Sequence, residues 1–144
     1  MNYEILEHTG DAKIRVFGAT KAALFVAALR GMNAILKSRI KTPASAKASA
    51  GGQKSKVWKI ELESTDINAL IVDFLNEVNY LRQVHMEVYD NIKLTQFSDT
   101  KLEGELSGYA VEEFGEDIKA VTLHELDIKQ NKEGVWETAI IFDI

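Results

Sequence analysis

Three stretches of the sequence bring together side chains that can do chemistry. Near the start, Glu7-His8-Thr9-Gly10-Asp11 puts two carboxylates and an imidazole beside a glycine that permits a tight turn. Carboxylate oxygens at close quarters share a proton or bind a cation. The same residues also suit plain turn capping by Thr9 and Asp11, with His8 a surface group. At the other end, WETAIIFDI stays apolar up to Ile144. An Ile144 packed into the core would fix its own α-carboxylate beside Asp143, and such a pair of oxygen anions suits calcium or magnesium better than zinc. The bland alternative is a terminal strand with solvated charges. The third stretch is Asp117-Ile118-Lys119-Ala120-Val121-Thr122-Leu123-His124. Lys119 is suited to bind a phosphate or to neutralise nearby carboxylates. His124 shares the parity of Leu126 and Ile128 and should face inward, where a lone histidine is more often a core residue than a ligand.

Other chemistries lack their residues. There are no cysteines, which excludes disulfides, thiolate zinc sites, iron–sulfur clusters and cysteine nucleophiles. No GxxxxGK[ST], helix-opening GxGxxG, HExxH or GxSxG pattern occurs. His8, His85 and His124 have no zinc-ligand spacing.

The elements that must position these residues follow from periodicity. Residues 12–18 alternate, with Ile14 and Val16 on one face and Lys13 and Arg15 on the other, as in a half-buried strand. Gly18 ends it, and Thr20 is placed to cap a helix over about 21–37. That helix is apolar nearly all round, and Ala23, Ala27, Ala28 and Gly31 permit close packing against a sheet. Residues 57–63 alternate again. Ser64 or Thr65 then caps a second helix, with Asp66 in its first turn. Its apolar positions Ile67, Leu70, Ile71, Phe74, Leu75, Val78 and Leu81 follow the i, i+3, i+4, i+7 rule, and Asn68, Asp73, Asn76 and Glu77 occupy the opposite face. Further strands are expected at 88–97, 101–110, 120–129 and 135–144, the last two joined by a turn at 131–134. The expected class is α+β: a two-layer sandwich with two main helices and a mixed, mostly antiparallel sheet of about six or seven strands.

Composition sets the frame. The chain of 144 residues suits one domain, 1–144, and its 46% apolar and 27% charged content is that of a globular protein. The formal net charge of −5 hides an asymmetry: residues 1–64 carry 11 cations and 5 anions, whereas residues 101–144 carry 4 and 11. Residues 41–55 are small, polar and cationic and read as a flexible basic loop. The loop has no aromatics to stack on bases, which weakens it as a nucleic-acid site. The start of the chain lacks the apolar core of a signal peptide, and the most apolar stretch, 22–36, is interrupted by Arg30 and Asn33. A cytoplasmic location and no membrane partner are the expectation.

Taken together and in order, YEILEHTGDAKIRVFG, TDINALIVDFLNEVNYL, IKAVTLHEL and WETAIIFDI resemble the archease family over nearly the whole chain. The family's first motif is close to D-H-T-A-D and reads E-H-T-G-D here. The resemblance implies an accessory protein, not an enzyme, that activates the tRNA-splicing ligase RtcB. It would promote guanylylation of the ligase's active-site histidine and multiple turnover in tRNA splicing and RNA repair, meeting RNA only through the ligase. It also implies a divalent metal, calcium, held by Asp11, Asp143 and the main-chain carboxylate of Ile144. Glu7 stands where the family commonly has aspartate. Its extra methylene makes it a partner contact sooner than a ligand, and His8, Lys119 and His124 are further contacts to the partner or supports for the site.

A reading from a different class uses the same acids in a metal-dependent hydrolase of the phosphoesterase type. That would need an open coordination position, a bound water and a base such as His8 or His124.

Overall fold

The computed structural model describes residues 2–7, 11–40, 57–123 and 126–144, excepting the side chains of Glu7 and residues 38–40. His8, His124 and the expected basic loop at 41–55 lie outside the described residues. In chain order the elements are β1 (Tyr3–Glu7), β2 (Asp11–Gly18), α1 (Lys21–Leu36), β3 (Ser38–Ile40), β4 (Trp58–Glu63), α2 (Ile67–His85), β5 (Glu87–Phe97), β6 (Lys101–Phe114), β7 (Ala120–Thr122), β8 (Lys129–Gln130) and β9 (Trp136–Asp143).

The α+β class and the two main helices are as expected. The strands form two antiparallel sheets. One runs β1-β2-β9-β7, with β8 also on β9; in the other, β6 pairs with β3, β4 and β5. Both helices touch both sheets. That explains why α1 is buried on nearly every side, from Leu24 and Phe25 through Met32 to Leu36. Gly31 lets α1 approach the first sheet: a Cβ there would stand 2.7 Å from Ile14 Cδ1. Phe25 joins the layers, with its ring centroid 5.7 Å from that of Phe74 on α2 and 4.9 Å from that of Phe97 on β5.

The helix ends follow local chemistry. Thr20 caps α1, its side chain accepting from Ala23 N at 3.0 Å. The α2 cap is Asp66, where Ser64 or Thr65 was expected. Its carboxylate accepts from Ala69 N at 2.8 Å, whereas the Ser64 hydroxyl turns to Asp73.

The strand expected over 120–129 is split into β7 and β8. Between them the backbone finds other partners. Leu126 N donates to Leu123 O at 3.0 Å, Asp127 N to Thr138 Oγ1 at 3.2 Å and Ile128 N to Asn68 Oδ1 at 2.9 Å. The expected turn at 131–134 is present, with Gly134 at φ 84° and its N–H on Asn131 O.

Candidate metal centre

The pairing of β2 with β9 carries the register Asp11↔Asp143, Ala12↔Phe142 and Ile14↔Ile140. The inward set is apolar: Ile14, Val16, Ile140 and Phe142 are all buried. Period-two alternation then puts Asp11 and Asp143 on the opposite face. Side chains of directly opposed residues share a face, with Cβ atoms about 4.5–5.5 Å apart, and like charges so placed repel. A hard cation shared by oxygens from both strands turns that repulsion into binding.

On its other side Asp143 has Ala120 of β7 as partner, and its carbonyl accepts from Lys119 N at 2.7 Å. Asp143 is therefore the middle position of three strands. Its side chain is exposed, whereas Asp11 is partly buried with Oδ1 shielded from solvent.

Asp11 and Ile144 line one cavity of about 340 Å3, walled by Ile5, Leu6 and Ile35. Two charged residues not singled out from the sequence join them, Lys37 and Glu116. The fold delivers both through the end of α1. Lys37 is its left-handed cap, at φ 49°, and its carbonyl accepts from Gly115 N at 3.1 Å. Glu116 N donates to Leu36 O at 3.1 Å. Only tertiary pairing brings these residues together, so no local sequence signal marks them.

The backbone register brings the residues expected to hold a hard cation to one end of the sheet. Asp11 and Asp143 bring side-chain oxygens from adjacent strands, and Ile144 lines the same cavity as Asp11. Among the described residues no three Asp, Glu or His side chains gather for a metal. Of the remaining expected residues, Lys119 is exposed and reaches Asp143 through its backbone. Glu7 ends β1, with Ala12 as register partner, so its backbone lies beside the start of β2. Tyr3–Glu7 itself was not expected as a strand.

One buried polar cluster lies apart from this site. Glu87 Oε1 accepts from Trp58 Nε1 at 2.8 Å and from the Tyr89 hydroxyl at 3.0 Å. His85 stacks on Trp58 with ring centroids 3.9 Å apart. Burial, then the hydrogen bond to Glu87 and the charge of that carboxylate, push the Tyr89 phenol well above the ordinary tyrosine range.

A small α+β protein that seats acids from both ends of its chain on neighbouring strands is the class that fold and site define. Residues 3–144 match the model of the Archease protein family (MTH1598/TM1083), and the chain belongs to that family. A "Protein archease" of Methanosarcina barkeri is 29% identical, over 99% of this chain and 95% of its own length. Another, from Pyrococcus furiosus, is 28% identical, over 99% and 98%. The fold agrees with the solution structure of Methanobacterium thermoautotrophicum protein 1598, at TM-score 0.67 and 19% identity, covering 99% of both chains. It also agrees with the crystal structure of a Thermotoga maritima archease described as a possible chaperone, at TM-score 0.62 and 19% identity, covering 96% of this chain and 94% of that one. Among the described residues no helix is long and apolar enough to cross a membrane.

Proposed function

We propose that this chain is an accessory protein that activates an RtcB-type RNA ligase in tRNA splicing and RNA repair, promoting guanylylation of the ligase and its multiple turnover. The observation that carries the reading is the Asp11↔Asp143 register beside Ile144. In that register Asp11 and Asp143 stand together at one end of one sheet. Asp11, Asp143 and the main-chain carboxylate of Ile144 would hold a divalent cation; oxygen donors suit calcium and magnesium alike, and calcium is the ion the family resemblance implies. The bound ion would supply positive charge to this acidic edge.

The chain's own residues do the rest. β2 and β9 hold the carboxylates in a fixed register, and Lys119 ties β7 to Asp143. Glu7, His8 and His124 would be further contacts to the partner. A rigid acidic surface can favour one conformation of a metal-rich ligase site by binding it better than the alternatives.

The test is a ligation time course with RNA in excess over ligase, with and without this protein. Multiple turnover should appear with the wild-type chain and fail with Asp11→Ala or Asp143→Ala while both variants stay folded. Undiminished turnover with either variant refutes the mechanism. Phosphate release from a simple phosphoester by the purified protein, lost in Asp11→Ala, would instead favour the hydrolase reading.

A further inference from the structure

We propose that a row of polar residues on α2 (Asn76, Asn79 and Arg82) sets the position of Asp143, and through it the cation affinity of the candidate centre. This inference rests on the cation-centre reading above.

Of this row, Asn76 was expected on the helix's solvent face. It faces residues 117–121 instead. Asn76 reads both backbone groups of Val121: Nδ2 donates to Val121 O at 3.1 Å, and Oδ1 accepts from Val121 N at 3.0 Å. Asn79 Nδ2 donates to Ile118 O at 2.9 Å. Arg82 is 3% exposed; its Nε donates to Asn79 Oδ1 at 2.8 Å, and its Nη2 to Asp117 Oδ1 at 3.0 Å and Ile118 O at 2.9 Å. The guanidinium also lies 4.7 Å from the Phe114 ring centroid.

These anchors bracket two residues. Ile118 and Val121 are gripped by the helix, and Lys119 and Ala120 between them pair with Asp143. β7 has only three residues and contributes few ladder bonds of its own. Chain ends fray unless tied down. The side of Asp143 away from Asp11 is therefore held by a short strand whose backbone is fixed by helix amides. Loosening the row frees Asp143 to move relative to Asp11, and an oxygen-ligand site is sensitive to such displacement. Asn76, Asn79 and Arg82 are positioning residues: their hydrogen bonds go to residues 117–121 and to one another, and each acts through that segment.

The experiment measures calcium affinity by titration calorimetry on the full chain, for wild type, Asn76→Ala, Arg82→Lys, Asp143→Asn and the double variant Asn76→Ala/Asp143→Asn. Circular dichroism establishes that each is folded. Asn76→Ala and Arg82→Lys should each weaken calcium binding about 10- to 100-fold, the range for outer supports of a metal site. Combined with Asp143→Asn, the Asn76→Ala loss should largely vanish, because the contact it positions is already gone. A general structural weakening would instead add to it. Wild-type protein that binds no calcium overturns the cation centre and this inference with it. Wild-type binding with unchanged affinity in folded Asn76→Ala and Arg82→Lys, or with losses that simply add, overturns this inference alone. Should Arg82→Lys fail to fold, Asn76→Ala and its double variant decide the matter.

Discussion

Asp11 and Asp143 come from opposite ends of the chain and stand as direct register partners in adjacent antiparallel strands. Asp143 is in turn paired with Ala120 on its far side. Two carboxylates so opposed are a local cost in any soluble sheet.

Calcium should therefore stabilise the protein. An ion binding only the folded state at about 100 times its Kd adds about 2.7 kcal/mol. The melting temperature should rise on adding calcium and fall back with chelator. Asp143→Asn should remove most of that response, while its stability in chelator equals or exceeds that of wild type by up to about 1 kcal/mol, because a like-charge pair has gone. Differential scanning calorimetry with and without calcium checks both.

The main-chain carboxylate of Ile144 has its own test. One glycine added after Ile144 turns that carboxylate into an amide and should weaken calcium binding and ligase activation together, leaving the circular dichroism spectrum unchanged. Full affinity in the extended chain would exclude this group as a ligand.

Tyr89 predicts an alkaline limit to stability. Its phenol is raised above the usual value of about 10 by burial, then by the hydrogen bond to Glu87 and the charge of that carboxylate. A raised folded value means the contribution is fully present below about pH 10, where the unfolded tyrosine is still protonated. It declines as pH climbs from there towards the folded value. Urea unfolding at a series of pH values from 9 to about 11.5 should show this decline, and Tyr89→Phe should flatten it.

Phe25 joins the packing of α1 to that of α2 and β5, so Phe25→Ala should cost about 3–5 kcal/mol. Asp66→Ala, which removes only a helix cap, should cost about 0.5–2 kcal/mol. Urea midpoints of the two variants rank these effects.

Much of the framework was legible in the sequence because burial imposes periodicity. The strand around Ile14 and Val16, helix α2 and the turn before β9 all follow from it. What was not legible depends on partners remote in sequence. Ser64 is a good cap by type, but its hydroxyl bonds Asp73, and Asp66 takes the cap. Asn68 and Asn76 have the parity of a solvent face, yet they supply backbone partners to Ile128 and Val121. That substitution of side-chain amides for ladder bonds is also why one apparent strand over 120–129 becomes two short ones. β1 went unnoticed because Ile5 is 45% exposed and its alternation is weak. The terminal acids were legible as residue types, but their register was not, since it needs the whole first sheet. Lys37 and Glu116 had no signal at all.

The two tryptophans sit in different sheets and in different company. Trp58 on β4 lies under His85 and donates to Glu87, whereas Trp136 on β9 has the Lys21 ammonium 4.8 Å above its ring. The molecule thus carries one tryptophan per sheet. Replacing Trp58 with phenylalanine leaves Trp136 as the single tryptophan, so that, with excitation where tyrosine does not absorb, the half bearing Asp143 can be watched loosening or tightening on its own.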